Sequence, residues 1–240
     1  MTSRKEGRLR VVSLVPSVSE TLLAWGVEPV AVTRFCELGD RYPTVGGTKD
    51  PDIASIVALE PDVVVMCDQE NRLPDAQALM SVGVAVHSVS ITSIDHVAEQ
   101  MRSLASAVGL DASLGDRCEP VAVGLSATEL LAYVPIWKRP WMTINHDTYG
   151  ATLLRRLGVR LVSDGELDRY PTLDLDEARA RGCNVVLAPT EPYPFAERHR
   201  AVLETVAPTL FIDGQDLFWW GARTPSAVIR LREQLTDVRR

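Results

Sequence analysis

Long apolar runs are missing from this 240-residue sequence. Nothing approaches the ~20 consecutive apolar residues of a membrane-spanning helix. The run within LRVVSLVPSVSE is about five residues, short of the roughly 7–15 of a secretory signal core. As written, the chain reads as soluble and cytoplasmic; an upstream start would make it exported or membrane-anchored. A basic excess is also missing: the net charge is −7, which argues against nucleic acid as a partner. The four cysteines, Cys36, Cys67, Cys118 and Cys183, form no CxxC pair and no zinc-spaced group with histidine, so no disulfide is indicated. The histidines at 87, 96, 146 and 199 are scattered over separate segments, and only His146 is well placed for a metal, so no metal site is expected. GxSxG, Walker A and HExxH are absent, and Gly46-Gly47 with Lys49 lacks phosphate-loop spacing. No catalytic residue is assigned.

What is present is an alternation of strands and helices. Residues 10–15 (RVVSLV), 62–67 (DVVVMC), 84–89 (VAVHSV), 184–189 (NVVLAP) and 208–213 (PTLFID) are short, β-branched and bounded by turn residues, as buried parallel strands are. Shorter strands are expected at 29–33 and 159–162, and one at 130–137. Helices are expected over 16–26, with Ser17 or Ser19 as cap and Glu20 completing a capping box, and over 50–61, 74–83, 93–109, 147–158, 173–182, 195–206 and 224–238. The two halves repeat the order helix, strand, polar loop, helix, strand. The fold class is therefore α/β, with two Rossmann-like parallel-sheet lobes: residues 9–93, a helical connector over 94–131, and residues 132–240. Ligands of such sheets bind at the carboxyl ends of the strands, which places the expected cleft between the lobes.

The unusual residues fall at those ends. Tyr42, Trp137, Trp141, Tyr149, Tyr170, Tyr193, Trp219 and Trp220 all stand there, among Asp, Asn and Arg. In DGQDLFWWGARTP, three adjacent rings lie between Gly214 and Gly221, with Asp216 before them and Arg223 after them. Neighbouring side chains cannot all face one core, so the cluster is read as a ligand surface rather than a seal over the sheet. Arg223 pairs with Asp216 or reaches a ligand. Ser17 has helix capping as its simpler role. Charge runs such as ELGDR read as solvated loops.

The stretches RVVSLVPSVSETL, GGTKDPDIASIVALEPDVVV, PIWKRPWMTI, APTEPYPF and DGQDLFWWGAR together resemble the cobalamin-binding branch of the helical-backbone substrate-binding proteins, over about residues 9–236. The resemblance implies a non-enzymatic receptor, a cleft that closes little, and cobalamin held by aromatics. It implies Ser17, Ser19, Tyr42, Cys67, Asn71, Trp141, Tyr170, Asp216, Phe218, Trp219 and Arg223 as ligand-binding residues. It implies no required cofactor, a corrinoid as bound ligand, a monomeric state, and an ABC permease as partner, docked through carboxylates near Glu70 and Asp176 or Glu177. Pro120 and Gly124 depart from the single long connecting helix of that group. The other readings of the residues are a ferric siderophore or haem binder, and a cytosolic enzyme or accessory protein on the same fold.

Overall fold

Two parallel sheets organise the chain, each built where β-branched runs can be buried on both faces. The structure is a computed structural model and describes residues 8–38, 41–122 and 130–238. By internal contacts the chain divides into two units. The first comprises residues 1–91, 96–119 and 220–223; the second comprises 92–95, 120–219 and 224–240.

In the first unit, β1 (Val11–Ser13), β2 (Val63–Cys67) and β3 (Val86–Val89) form a parallel sheet in the order β1-β2-β3. Val12 faces Val64, and Val65 faces His87. All five residues of β2 are buried, as a central parallel strand requires. Val12, Leu14, Ile56, Val64, Met66 and Leu79 form its core, each fully buried aliphatic contributing roughly 1.5–3 kcal/mol. Around the sheet lie α1 (Pro16–Ala24), α2 (Ile53–Ala58), α3 (Leu73–Ser81) and α4 (Val97–Ala107).

Several expectations need correction here. Neither Ser17 nor Ser19 caps α1: the N-cap is Val15, which makes no side-chain bond, and Pro16 opens the helix. Proline suits that first position because its missing N–H would be unpaired there anyway. Asp52 does cap α2, accepting from the Ser55 amide. The expected strand at 29–33 is reduced to single bridges, Val12 to Ala31 and Val32 to Thr44. The chain after α4 is not one long helix: α4 stops at Ala107, Gly109 takes a positive φ of 76, and a 3-10 segment, Ala112–Cys118, folds back on it, all before Pro120. Gly115 permits that approach, since a Cβ there would collide with the Arg102 backbone. Gly124 lies outside the described residues.

In the second unit, β4 (Leu130–Tyr133), β7 (Val159–Leu161), β8 (Val185–Pro189) and β9 (Thr209–Ile212) form a parallel sheet in the order β7-β4-β8-β9. Every residue of β8 is buried. The strand expected at 130–137 breaks at Val134. Its second half becomes β5 (Pro135–Lys138), which pairs antiparallel with β6 (Trp141–Thr143) in a hairpin. Helices α5 (Tyr149–Arg156), α6 (Leu175–Ala180), α8 (Gly214–Phe218) and α9 (Thr224–Val238) complete the unit. The helix expected at 195–206 is only a 3-10 turn, Glu197–His199, followed by the single turn α7 (Arg200–Leu203). Asp174 and Glu177 form a capping box on α6.

Candidate functional site

The loops after the parallel strands hold the residues singled out from the sequence, but the two units use them differently. In the first unit the polar ones other than Ser17 are bound to the protein itself. Asn71 accepts from the Cys67 amide at 2.8 Å and donates to the carbonyls of Leu14 at 3.2 Å and Thr48 at 2.7 Å. It thus ties three strand-end segments together. Ser19 donates to Ser13 at 2.9 Å and accepts from the Cys36 thiol at 3.2 Å. Ser17 is buried, and its hydroxyl has no hydrogen-bond partner. Tyr42, expected as a ligand-facing ring, is buried with its hydroxyl donating to Glu28. Burial, and then that bond to Glu28, raises its pKa above the ordinary 10.0. Cys67 is buried and donates to Gln69 at 3.0 Å. Burial foremost, with the charge of Glu70, pushes its thiol up to about 12.

The 213–223 stretch does not behave as one loop. Asp213 caps α8 through the Gln215 amide at 2.8 Å, so Phe218 is helical. Phe218 packs against Gly150 of α5 and stays partly exposed, as does Trp219. Trp220 is 4% exposed. The three rings therefore do not form one surface. Helix α8 fixes the first, an extended residue turns the second outward, and the third is packed away. The next residues belong to the first unit. Ala222 donates its amide to Thr21 at 3.0 Å. Gly221 has φ 104 and leaves no room for a Cβ beside Thr21.

Two ion pairs hold charged residues of this stretch. Asp216, 2% exposed, is held by Arg230 through two bonds of 2.6 and 2.5 Å. Arg223 is held by Glu20 through bonds of 3.0 and 2.6 Å. Both contacts are bidentate, the geometry that favours arginine. Of the carboxylates expected to dock on a permease, Asp176 pairs with Arg179 at 2.7 Å, and Glu177 serves the capping box.

The second unit presents rings. Tyr170 is 49% exposed. Trp141 is half-buried, stacked on Phe195 with centroids 6.1 Å apart and planes 8° apart. Two rings absent from the expected ligand-binding set join it. Trp137, 46% exposed, meets Tyr193 edge-on at 5.6 Å, and Tyr193 lies 4.7 Å from Phe195. Their signal in the sequence was the same strand-end position as the others. The four sheet strands are parallel, so the hairpin after β4 and the loops after β7, β8 and β9 leave from one edge of the sheet. Trp137, Tyr170, Tyr193, Phe218 and Trp219 all stand on those segments, partly exposed. Among the described residues no group of three His, Cys, Asp or Glu could hold a metal, and His146 is exposed. All four cysteines are free. No helix among the described residues is long and apolar enough to cross a membrane.

Residues 11–114 match the periplasmic binding protein family. The fold is that of the periplasmic binding proteins. The periplasmic vitamin B12 binding protein BtuF of Vibrio cholerae superposes with a TM-score of 0.78 over 97% of this chain and 98% of its own, at 14% identity. The periplasmic heme-binding protein RhuT from Roseiflexus sp. RS-1, in apo form, gives 0.80 over 98% and 100%, at 15% identity. In sequence, the chain is 30% identical over 100 residues to the vitamin B12-binding protein of Salmonella choleraesuis strain SC-B67. That match spans 40% of this chain and 38% of that protein. Binders of vitamin B12 and of haem thus share this fold, and the chain is similar to both.

Proposed function

We propose that the protein is a non-enzymatic solute-binding protein for a cobalamin-like corrinoid, serving an ABC-type importer or intracellular corrinoid handling. The observation that carries this reading is the set of partly exposed rings, Trp137, Tyr170, Tyr193, Phe218 and Trp219, at one edge of one parallel sheet. Rings give large contact area at small entropic cost, and a broad planar macrocycle is the ligand that uses several at once. The sequence similarity to a vitamin B12-binding protein points the same way.

Binding without turnover fits the chemistry of the candidate nucleophiles. A thiol pushed up to about 12, as those of Cys67 and Cys118 are, carries almost no thiolate at neutral pH. Ser19 sits in a hydrogen-bonded chain with Ser13 and Cys36 rather than beside a base. A second reading, a haem binder, is favoured by the structural likeness to haem-binding proteins. Mass spectrometry of ligand retained by natively purified protein separates the readings. A corrinoid mass supports the first; haem, or a metabolite that the protein converts, displaces it.

A further inference from the structure

Beside the exposed rings of the second unit stand three cations that have no carboxylate partner among the described residues. Lys138 and Arg139 lie at the tip of the β5–β6 hairpin, and Arg198 lies on the 3-10 turn after β8. Among the described residues no carboxylate oxygen comes within 4.0 Å of any of them. Arg198 donates to the Pro194 carbonyl at 3.1 Å. The carboxylate next to it in sequence, Glu197, is taken by Arg200 at 2.6 Å. Glu191, in the same loop, lies against Gly214. The chain as a whole is acidic, with a net charge of −7, and many of its arginines are paired with carboxylates. Three cations without a carboxylate partner among the described residues, on the hairpin that carries Trp137 and the turn that follows Tyr193, are therefore not the average surface.

The same residues share a buried centre. His199 meets Tyr193 and Phe195 edge-on at 5.6 and 5.5 Å and accepts from the Ala196 amide at 3.1 Å. Burial first, then the charges of Arg198 and Lys138, hold its pKa below the ordinary 6.5. Both cations thus act on one imidazole, although 60 residues separate them in the chain. That imidazole backs the ring of Tyr193, whose edge meets Trp137. A wall of rings with a cationic rim suits a ligand that is apolar across its plane and anionic at one margin.

We infer that Lys138, Arg139 and Arg198 receive an anionic group on the periphery of the ligand, a phosphodiester or a carboxylate, while Trp137 and Tyr193 cover the adjoining apolar edge. The inference rests on the macrocycle reading above and narrows it to macrocycles with an anionic appendage. Guanidinium and ammonium groups at a half-exposed site hold phosphate or carboxylate through charge-assisted bonds that salt weakens.

The test is calorimetric titration of the wild type and the K138Q/R139Q/R198Q variant with three probes. Cobalamin carries a phosphodiester in its nucleotide loop, cobinamide is the corrin without that loop, and hemin carries two carboxylates. All three side chains reach solvent, so the variant keeps its fold, which circular dichroism and thermal melting verify. The expected result is that the variant loses about tenfold or more in affinity for the anionic probes and nothing for cobinamide. The gap closes as salt rises from about 0.05 to about 0.5 M. Loss confined to cobalamin assigns the phosphodiester; loss confined to hemin assigns the carboxylate. Equal affinities of wild type and variant for every probe that binds overturn the cationic rim and leave ligand binding standing. Hemin binding that needs the cations, without any corrinoid binding, removes the corrinoid reading and keeps the rim. Failure of all three probes to bind the wild type removes both.

Discussion

The strand ends of the two units carry the residues singled out from the sequence and put them to different uses. In the first, Asn71, Ser19, Tyr42 and Cys67 bond to the protein's own backbone and side chains. In the second, Trp137, Tyr170, Tyr193, Phe218 and Trp219 remain partly exposed. The first unit has a small three-stranded sheet whose loops need fastening, and the polar side chains supply it. The second has four strands and a hairpin, and its loops are held by packing around Phe195 and by the Asp216–Arg230 pair. Placement at a strand end is therefore not enough to assign a ligand contact; the side chain must also keep exposed surface.

Trp220 and Trp219 make the sharpest version of that contrast, because they are adjacent and of one type. Trp220→Ala is expected to destabilise the fold by about 3–5 kcal/mol, as large buried aromatics do, read as a lowered urea midpoint with an unchanged m-value. A midpoint equal to wild type would show that the ring is not part of the core. Asn71→Ala comes next. It leaves two carbonyls and an amide unpaired, at a cost of about 2–4 kcal/mol on the same assay. If the substitution instead weakens ligand binding and spares stability, Asn71 belongs to the ligand surface and the contrast between the units fails. Trp219→Ala is expected to weaken cobalamin binding by about 1–3 kcal/mol, with a smaller change in the urea midpoint. The reverse pattern would place it with Trp220.

The smallest effect expected is one of pH. His199 binds its proton less readily in the folded chain than the ordinary 6.5 allows. Above that value neither state is protonated and the group contributes no slope. As the pH falls from about 6.5 toward the depressed folded value, the unfolded chain takes up a proton that the folded chain refuses, so stability drops. His87, lowered by burial, acts with the same sign. The comparison is therefore between wild type and His199→Gln, whose loss of stability between about pH 7.5 and about pH 5.5 should be smaller. Equal losses would mean that His199 is not held neutral by its surroundings.

Much of the fold was legible in the residues. β2 and β8 are runs of valine and other apolar residues with turn signals on either side, and such runs have few alternatives. The capping role of Asp52 and the helix end near Gly109 were equally local. Other local signals were misjudged. Pro16 marks the first turn of α1 and so moves the cap to Val15, away from Ser17. Pro135 and the Arg139-Pro140 pair at the hairpin tip mark the break in what was read as one strand. The site was less legible because its logic is long-range. Glu20 and Arg223 are 203 residues apart in sequence, and no spacing rule links them. Nor does any local pattern distinguish Trp219 from Trp220, since the burial of each depends on elements distant in the chain.

The central claim is that the exposed rings of the second unit hold a planar macrocycle. Its most direct test is a titration of intrinsic tryptophan fluorescence with cobalamin, corrected for absorbance by the ligand. The account predicts saturable quenching with a midpoint in the micromolar range or below, because Trp137 and Trp219 would lie against the bound corrin. Fluorescence that stays flat after correction, up to high micromolar cobalamin, would contradict it.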